Sequence, residues 1–142
     1  NCLHFFYNNI TVNLSTLKCA FSFLFQLIRV PGWTLAIERG CDAVVKILLD
    51  NGAEVNIKNN KNEIALMFAA DDYYCDKLEA VSALLDKGSE VNAKNNDGET
   101  ALMIAAQRGC INIVKLLLER GADVKQKDNF GKTALDFAEK VN

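Results

Sequence analysis

A sequence repeat constrains the fold of this chain more than any other feature. The tripeptide Thr-Ala-Leu that begins at Thr100 recurs at Thr133, 33 residues later, and Ile-Ala-Leu begins at Ile64, 36 residues before Thr100. Each of these segments follows a glycine by twelve residues, and these glycines are Gly52, Gly88 and Gly121. A period of this size is typical of repeat proteins, in which short units share one hydrophobic core with their neighbours.

The recurring residues resemble the ankyrin repeat family, whose unit is a turn followed by two antiparallel helices. The clearest stretch is Leu-Met-Ile-Ala-Ala-Gln-Arg-Gly over residues 102–109, followed by Ile-Val-Lys-Leu-Leu-Leu-Glu-Arg-Gly-Ala-Asp-Val over residues 113–124. The resemblance implies an all-α solenoid built from helix-turn-helix units with projecting β-turns. Two positions depart from the family: its Pro is replaced by Ala65, Ala101 and Ala134, and its His by Met67, Met103 and Asp136. These changes imply that the family's Thr-to-His hydrogen bonds between units are absent.

The repeat divides the chain into two parts. Residues 31–142 are predicted to form the ankyrin repeat domain, and residues 1–30 a separate hydrophobic segment. The expected units are about 31–63, 64–99 and 100–132, with a partial unit at 133–142.

Residues 1–30 differ in composition from the repeats. They contain no Asp or Glu and five of the eight Phe, and their apolar residues recur at helical spacing before Pro31. We expect a hydrophobic helix that caps the open end of the first unit. A secretory signal or membrane anchor after Lys18 is the second interpretation, although the apolar run is shorter than the roughly 20 residues that span a bilayer. The third is that this segment has no native fold here.

Charge and cysteine content limit the compartment and the partners. A net charge of −2, with basic residues interspersed among acidic ones, argues against a nucleic-acid surface, which needs a basic stripe. Five cysteines without a Cys-x-x-Cys pair do not indicate a disulfide framework or a zinc site. Cys41 and Cys110 share a repeat position and are predicted to fill a small apolar gap in a reducing compartment. We therefore expect a cytoplasmic protein, or a secreted or membrane-anchored one if residues 1–30 act as a signal.

No group of residues indicates catalysis. The only histidine, His4, lies outside the repeats, so a Cys–His pair would need a distant thiol. Cys2 and His4 are too few ligands for a metal, and glycine-rich phosphate loops are absent. We expect no enzyme activity, no cofactor and no metal site.

The resemblance implies a surface that binds another protein. Ankyrin repeats contact partners through the turn tips and through the ends of each first helix. The matching turn positions are Asn60, Lys61, Glu63, Asn96, Asp97, Glu99, Asn129, Phe130 and Lys132. The matching helix-end positions are Glu38, Arg39, Asp71, Asp72, Gln107 and Arg108. Phe130 is the strongest candidate, because packing does not require a ring there; the alternative is a ring that lies on its own turn.

An insertion lengthens the connection within the second unit. Its sequence is Asp-Asp-Tyr-Tyr-Cys-Asp-Lys over residues 71–77, and Asp76 stands where other units have Gly. We expect Tyr73, Tyr74 and the acidic residues to project from the stack, where tyrosine rings favour protein contacts. The alternative is that the tyrosines fold back onto the helices.

These features give competing hypotheses for function. The first is a monomeric protein-binding module whose partner combines mixed charge with an apolar anchor. The second is a regulatory or targeting arm of a larger enzyme or membrane-anchored protein, because the chain starts at Asn1 without an initiator Met. A structural spacer between other repeats is the third. Membrane contact is expected only through residues 17–30.

Overall fold

The computed structural model describes Ile37 and residues 42–139 of the 142-residue chain. Within that part the chain forms α-helices joined by turns, without any strand. The helices are α1 Asp42–Asp50, α2 Ala65–Ala70, α3 Leu78–Asp86, α4 Ala101–Arg108, α5 Ile111–Glu119 and α6 Ala134–Ala138. This architecture confirms the expected all-α fold class. The hydrophobic helix expected within residues 1–30 lies outside the described residues.

The helices pack in two rows. The first row contains α2, α4 and α6, which lie side by side in that order and follow Ile64, Thr100 and Thr133. The second row contains α1, α3 and α5, packed in the same way. Within a unit the two helices also pack together, α2 on α3 and α4 on α5. The repeats seen in the sequence are therefore layers of one solenoid.

The core is a strip of apolar side chains shared by neighbouring units. The fully buried members come from both rows and include Ile64, Leu66, Val81, Leu84, Ile113 and Leu117. Met67 and Met103, which replace the family's His, are also buried, so they fill core volume in place of a polar network. Burying a side chain of this size contributes roughly 1.5–3 kcal/mol.

Burial at one repeat position differs between the inner units and the end of the described stack. Leu66 and Leu102 occupy the same repeat position and are 0% and 2% exposed; α2 and α4, which carry them, each pack against the second helix of their own unit and the first-row helix of the next. Leu135 occupies that position in the last described helix and is 68% exposed. A unit in this fold therefore completes its core only when another helix packs against it.

Short polar side chains build the turns in register. Asn59 Oδ1 accepts the N–H groups of Lys61 at 2.8 Å and Glu63 at 2.9 Å. The carboxamide of Asn95 and the carboxylate of Asp128 accept the equivalent pairs of N–H groups in the next two units. These bonds satisfy turn backbone groups that lack helical partners, which is why Asn and Asp recur there.

A second set of asparagines joins one unit to the next. Asn56 Oδ1 accepts from Glu90 N–H at 2.8 Å, and its Nδ2 donates to the Gly88 carbonyl at 3.1 Å. Asn92 makes the same two bonds to the third unit, at 2.8 and 3.2 Å. Lys125 holds this position in the third unit. The asparagines therefore supply hydrogen bonds between units although the family's Thr-to-His bonds are replaced.

Gly98 sits where two turns meet closely. Its φ of +78° is left-handed, and a Cβ at this position would lie 2.6 Å from Asn129 Oδ1 and 2.8 Å from Asn129 N. Gly131 holds the same turn position in the next unit, with φ +79°, and a Cβ there would meet nothing within 4 Å. The two glycines thus share a backbone conformation but differ in their neighbours.

We expect Gly98→Ala to destabilise the protein more than Gly131→Ala. Both changes place a side chain in left-handed backbone, which costs about 1–2 kcal/mol. Only Gly98→Ala also forces Asn129 away, which adds about 1–3 kcal/mol. Urea unfolding followed by circular dichroism measures both losses. Equal losses would contradict the close approach of the two turns.

Candidate functional site

Residues 71–77, which we call the tyrosine loop, connect α2 to α3. Asp72 organises this loop, because its buried carboxylate accepts three backbone N–H groups. The N–H of Asp76 donates to Oδ2 at 2.7 Å, that of Lys77 to Oδ2 at 3.2 Å, and that of Tyr74 to Oδ1 at 3.3 Å. The expectation that Asp72 projects into solvent is therefore wrong. The loop N–H groups that precede α3 have no secondary-structure acceptors, and this carboxylate turns inward to accept them.

The surroundings of Asp72 keep it ionised. Burial by itself would raise the pKa of Asp72, but hydrogen bonds from Asp76 and Tyr74 and the charge of Lys77 lower that pKa below its ordinary value. Lys77 Nζ lies 3.8 Å from Asp72 Oδ1. The hydrogen bond to Asp72 and the negative charge of Asp72 raise the pKa of Asp76. Charge-assisted bonds of this kind are roughly twice as strong as neutral ones, so Asp72 anchors the loop.

A disulfide joins the tyrosine loop to the third unit. Cys75 and Cys110 are bonded, with Cα atoms 5.1 Å apart and a sequence separation of 35 residues. The expectation that Cys110 only fills an apolar gap, with no disulfide in the repeats, is therefore wrong. The pairing is a product of stacking, because only the packing of the third unit on the second brings the two residues together.

The two tyrosines of the loop extend into solvent. Tyr73 is 79% exposed and Tyr74 is 82% exposed. Their rings meet edge to face with centroids 5.4 Å apart, a geometry that the ring quadrupole favours. This exposure contradicts the alternative in which the rings fold back onto the helices. Together they form an apolar projection on a loop that is anchored at Asp72 and Cys75.

An ion pair lies beside the tyrosine loop. Arg108, the last residue of α4, donates from Nε to the carboxylate of Asp71. Both side chains are partly exposed, so the pair contributes at most about 1 kcal/mol to stability. Gln107 precedes Arg108 and is exposed. These three predicted contact residues therefore face solvent next to the boundary between two units.

At the turn tips, the predicted asparagines hold the turns together. Asn96 Nδ2 donates to the carbonyl of Asn60 at 3.3 Å, and Asn129 Nδ2 donates to the carbonyl of Asn96 at 2.8 Å. The backbone N–H of Asn129 also donates to the carbonyl of Asp97 at 3.0 Å. These hydrogen bonds thus join neighbouring turns of the stack, although Asn60, Asn96, Asp97 and Asn129 remain exposed at its surface.

Three charged turn residues are also engaged within the fold. Glu63 and Glu99 each accept from the asparagine four residues earlier, at 2.7 and 3.0 Å. Lys132 places its ammonium 5.8 Å from the centroid of the Phe137 ring, within the range of a cation–π contact. All three are half-buried. A partner that contacted them would compete with these internal bonds.

Phe130 differs from the other turn-tip residues. Its ring is 78% exposed, which contradicts the alternative that it lies on its own turn. The Phe130 N–H donates to Asp128 Oδ1 at 2.9 Å, so the backbone is fixed while the ring extends into solvent. Lys61 and Asp97, at the equivalent positions, are exposed as well. The equivalent turn tips therefore carry a basic, an acidic and an aromatic side chain.

The described residues contain neither a metal-binding group nor a helix that could cross a membrane. Glu38 and Arg39 lie outside the described residues. Among the residues that the structure describes, no group of three or more His, Cys, Asp or Glu side chains could hold a metal ion. The helices of this same region are all too short or too polar to cross a membrane. The described surface is thus distinguished by exposed aromatic rings on anchored loops.

Comparison with known proteins identifies one family. A family model for ankyrin repeats, in three copies, matches residues 33–128, which is more than half of the chain. The matched range includes the tyrosine loop and ends before the last described helix. No curated protein matches this chain.

We expect Asp72→Asn to destabilise the protein at neutral pH by about 1–3 kcal/mol, because a buried charged acceptor is lost. The folded protein lowers the pKa of Asp72, so the stabilisation is present above the ordinary pKa of 3.8 and is lost as pH falls through the lower, folded-state value. The difference in free energy of unfolding between wild type and Asp72→Asn should therefore become smaller in acid.

Thermal unfolding between pH 7 and pH 3 measures this effect. Asp71→Asn is the matched control, because its exposed ion pair with Arg108 predicts a loss below about 1 kcal/mol. If the difference in stability between wild type and Asp72→Asn stayed constant down to pH 3, the ionised Asp72 carboxylate would not be the group that stabilises the loop.

Proposed function

Because the chain belongs to the ankyrin repeat family, we propose that it is a non-catalytic module that binds a partner protein through its exposed aromatic rings. Ankyrin repeats are generally protein–protein interaction modules. The observation that carries the proposal is the exposure of Tyr73, Tyr74 and Phe130, each at least 78% exposed. Aromatic side chains supply much of the binding energy at protein interfaces.

The rings mark the two ends of the first-row helices. The turn that carries Phe130 precedes α6, whereas the tyrosine loop follows α2. A partner that lies along the first row, in the groove expected for this family, would contact both ends. Lys61 and Asp97 at the tips, with Gln107 and the Asp71–Arg108 pair at the helix ends, would then provide polar contacts around the rings.

The partner is proposed to combine an apolar anchor with charges of both signs. Exposed acids and bases alternate along this surface, and Asp71 and Arg108 present both signs within one pair. Such a pattern contributes specificity and association rate more than affinity. We propose that the protein acts as a monomer in the cytoplasm.

One observation favours a second candidate, in which the repeats are a regulatory or targeting arm of a larger protein. The 68% exposure of Leu135, against 0% for Leu66, supports a further helix packing on α6. The neighbouring coding sequence tests this candidate. A continuation with the same period of apolar residues would support it, and an unrelated continuation would contradict it.

We expect the triple variant Tyr73→Ala, Tyr74→Ala and Phe130→Ala to lose its partner. Truncation of an aromatic residue at an interface reduces the binding free energy by more than about 1 kcal/mol. The three truncations together should therefore lower the affinity more than tenfold. The helical circular dichroism should stay unchanged, since the three rings are outside the core. Affinity capture from cell extract, quantified by mass spectrometry, compares the variant with wild type.

The matched control replaces three exposed aliphatic residues of the second row and its turns, Ile47, Leu118 and Val124, with Ala. This control removes a similar kind of surface away from the proposed site and should retain the partner. If the aromatic variant captured the same proteins at the same strength as wild type, the proposed surface would be rejected.

A further inference from the structure

We propose that the Cys75–Cys110 disulfide is a thiol–disulfide exchange site, through which a dithiol reductant controls the shape of the tyrosine loop. The effect on partner binding rests on the function proposed above. The exchange reaction itself does not, because it depends only on the position of the two sulfurs.

The two cysteine residues differ in exposure. Cys110 is 0% exposed, whereas Cys75 is half-buried at the outer part of the loop. An attacking thiolate must reach the sulfur in line with the bond that it breaks, and access decides which sulfur it attacks. Attack is therefore directed to Cys75 Sγ, and Cys110 is the leaving group.

The fold can hold Cys110 as a thiol after it leaves. Cys110 is the residue that precedes the first turn of α5, a nine-residue helix. The carbonyl oxygen of Asp72 lies 3.1 Å from Cys110 Sγ. Once the sulfur takes up a proton, this carbonyl can accept the resulting S–H, which satisfies the buried thiol.

The reaction balances in two steps. In the first, one thiolate of the dithiol bonds to Cys75 Sγ, the bond between Cys75 and Cys110 breaks, and Cys110 leaves as a thiolate. In the second, the other thiol of the reductant attacks its own sulfur in the mixed disulfide and releases Cys75. Two electrons pass to the protein, two protons complete its thiols, and the reductant becomes a cyclic disulfide.

Breaking this bond releases the backbone that presents the tyrosines. Cys75 has φ +55°, a left-handed conformation that is unfavourable for a residue with a side chain. Asp72 fixes the neighbouring N–H groups of Tyr74 and Asp76, but the disulfide is the covalent tie between the loop and α5. Without it, Cys75 can relax, and Tyr73 and Tyr74, which directly precede it, lose their fixed position.

A reversible bond also fits the proposed compartment. Disulfides of cytoplasmic proteins are mostly transient, with catalytic or redox-sensing roles. In the oxidised protein the paired rings are held ready for contact, which lowers the entropy cost of binding. In the reduced protein the two rings must become ordered during binding, which costs conformational entropy. We therefore expect the oxidised form to bind the partner more tightly.

The first test needs no partner. The oxidised protein is treated with glutathione at neutral pH, quenched with acid and digested, and the mixed disulfide is located by mass spectrometry. We expect the adduct on Cys75. An adduct on Cys110, or a bond that reacts only after unfolding in urea, would overturn the exchange site.

The second test measures hydrogen exchange of the backbone amides in the tyrosine loop. Hydrogen exchange is compared before and after reduction with dithiothreitol, for the amides that donate to Asp72. We expect exchange of the Tyr74 and Asp76 amides to rise about tenfold or more, while amides within α4 stay unchanged. Cys75→Ser supplies the permanently open form, and its exchange should match the reduced wild type with or without reductant. Unchanged exchange of the loop on reduction would overturn the proposed control.

The third test separates this inference from the proposed function. Partner capture by oxidised wild type should exceed capture by the reduced protein about threefold, and Cys75→Ser should show no response to reductant. If capture depends on the aromatic rings but not on reduction, the proposed function stands and the redox control is rejected. If the loop responds to reduction while the aromatic triple variant keeps its partner, the exchange site stands and the proposed function is rejected.

Discussion

The structure depends on one constraint: a two-helix unit has an apolar side that only a neighbouring unit can cover. Leu66 and Leu102 are buried on helices that pack against their own unit and the next one, and Leu135 is exposed on α6, where the described stack ends. Stability in such a solenoid is approximately a sum over units and the interfaces between them. The fold leaves the tips of its turns outside the core, and the equivalent tip positions Lys61, Asp97 and Phe130 therefore carry different side chains without loss of packing.

Polar side chains at the turns keep the stacked units in register. Asn56 and Asn92 each bond two backbone groups of the following unit, and Asn129 bonds the backbone of the preceding turn. Apolar packing is not directional, whereas these hydrogen bonds require particular distances and angles. The asparagines thus fix how far each unit slides and rotates against its neighbour, and they hold the turn that presents Phe130 in a defined place.

The tyrosine loop combines an insertion in one unit with anchors to its own backbone and to the next unit. Asp72 accepts the N–H groups of Asp76 and Lys77 just before α3, and Cys75 is bonded to Cys110 just before α5. These anchors allow two large rings to remain in solvent on a loop of fixed shape. An anchored loop loses less conformational entropy on binding than a flexible one, which favours its use as a contact surface.

The sequence by itself determined the period, because turn glycines and apolar spacing recur locally, and its resemblance to a family indicated the helical class. It left open whether the rings of Tyr73, Tyr74 and Phe130 fold back or extend into solvent, and the structure decided this. The sequence also contained a signal for the inter-unit asparagines, since Asn56 and Asn92 each follow the valine of a turn. Only the tertiary structure decided that Asp72 is buried and that Cys75 pairs with Cys110. Both depend on how closely two units approach, and residues 35 apart meet only after the units have packed.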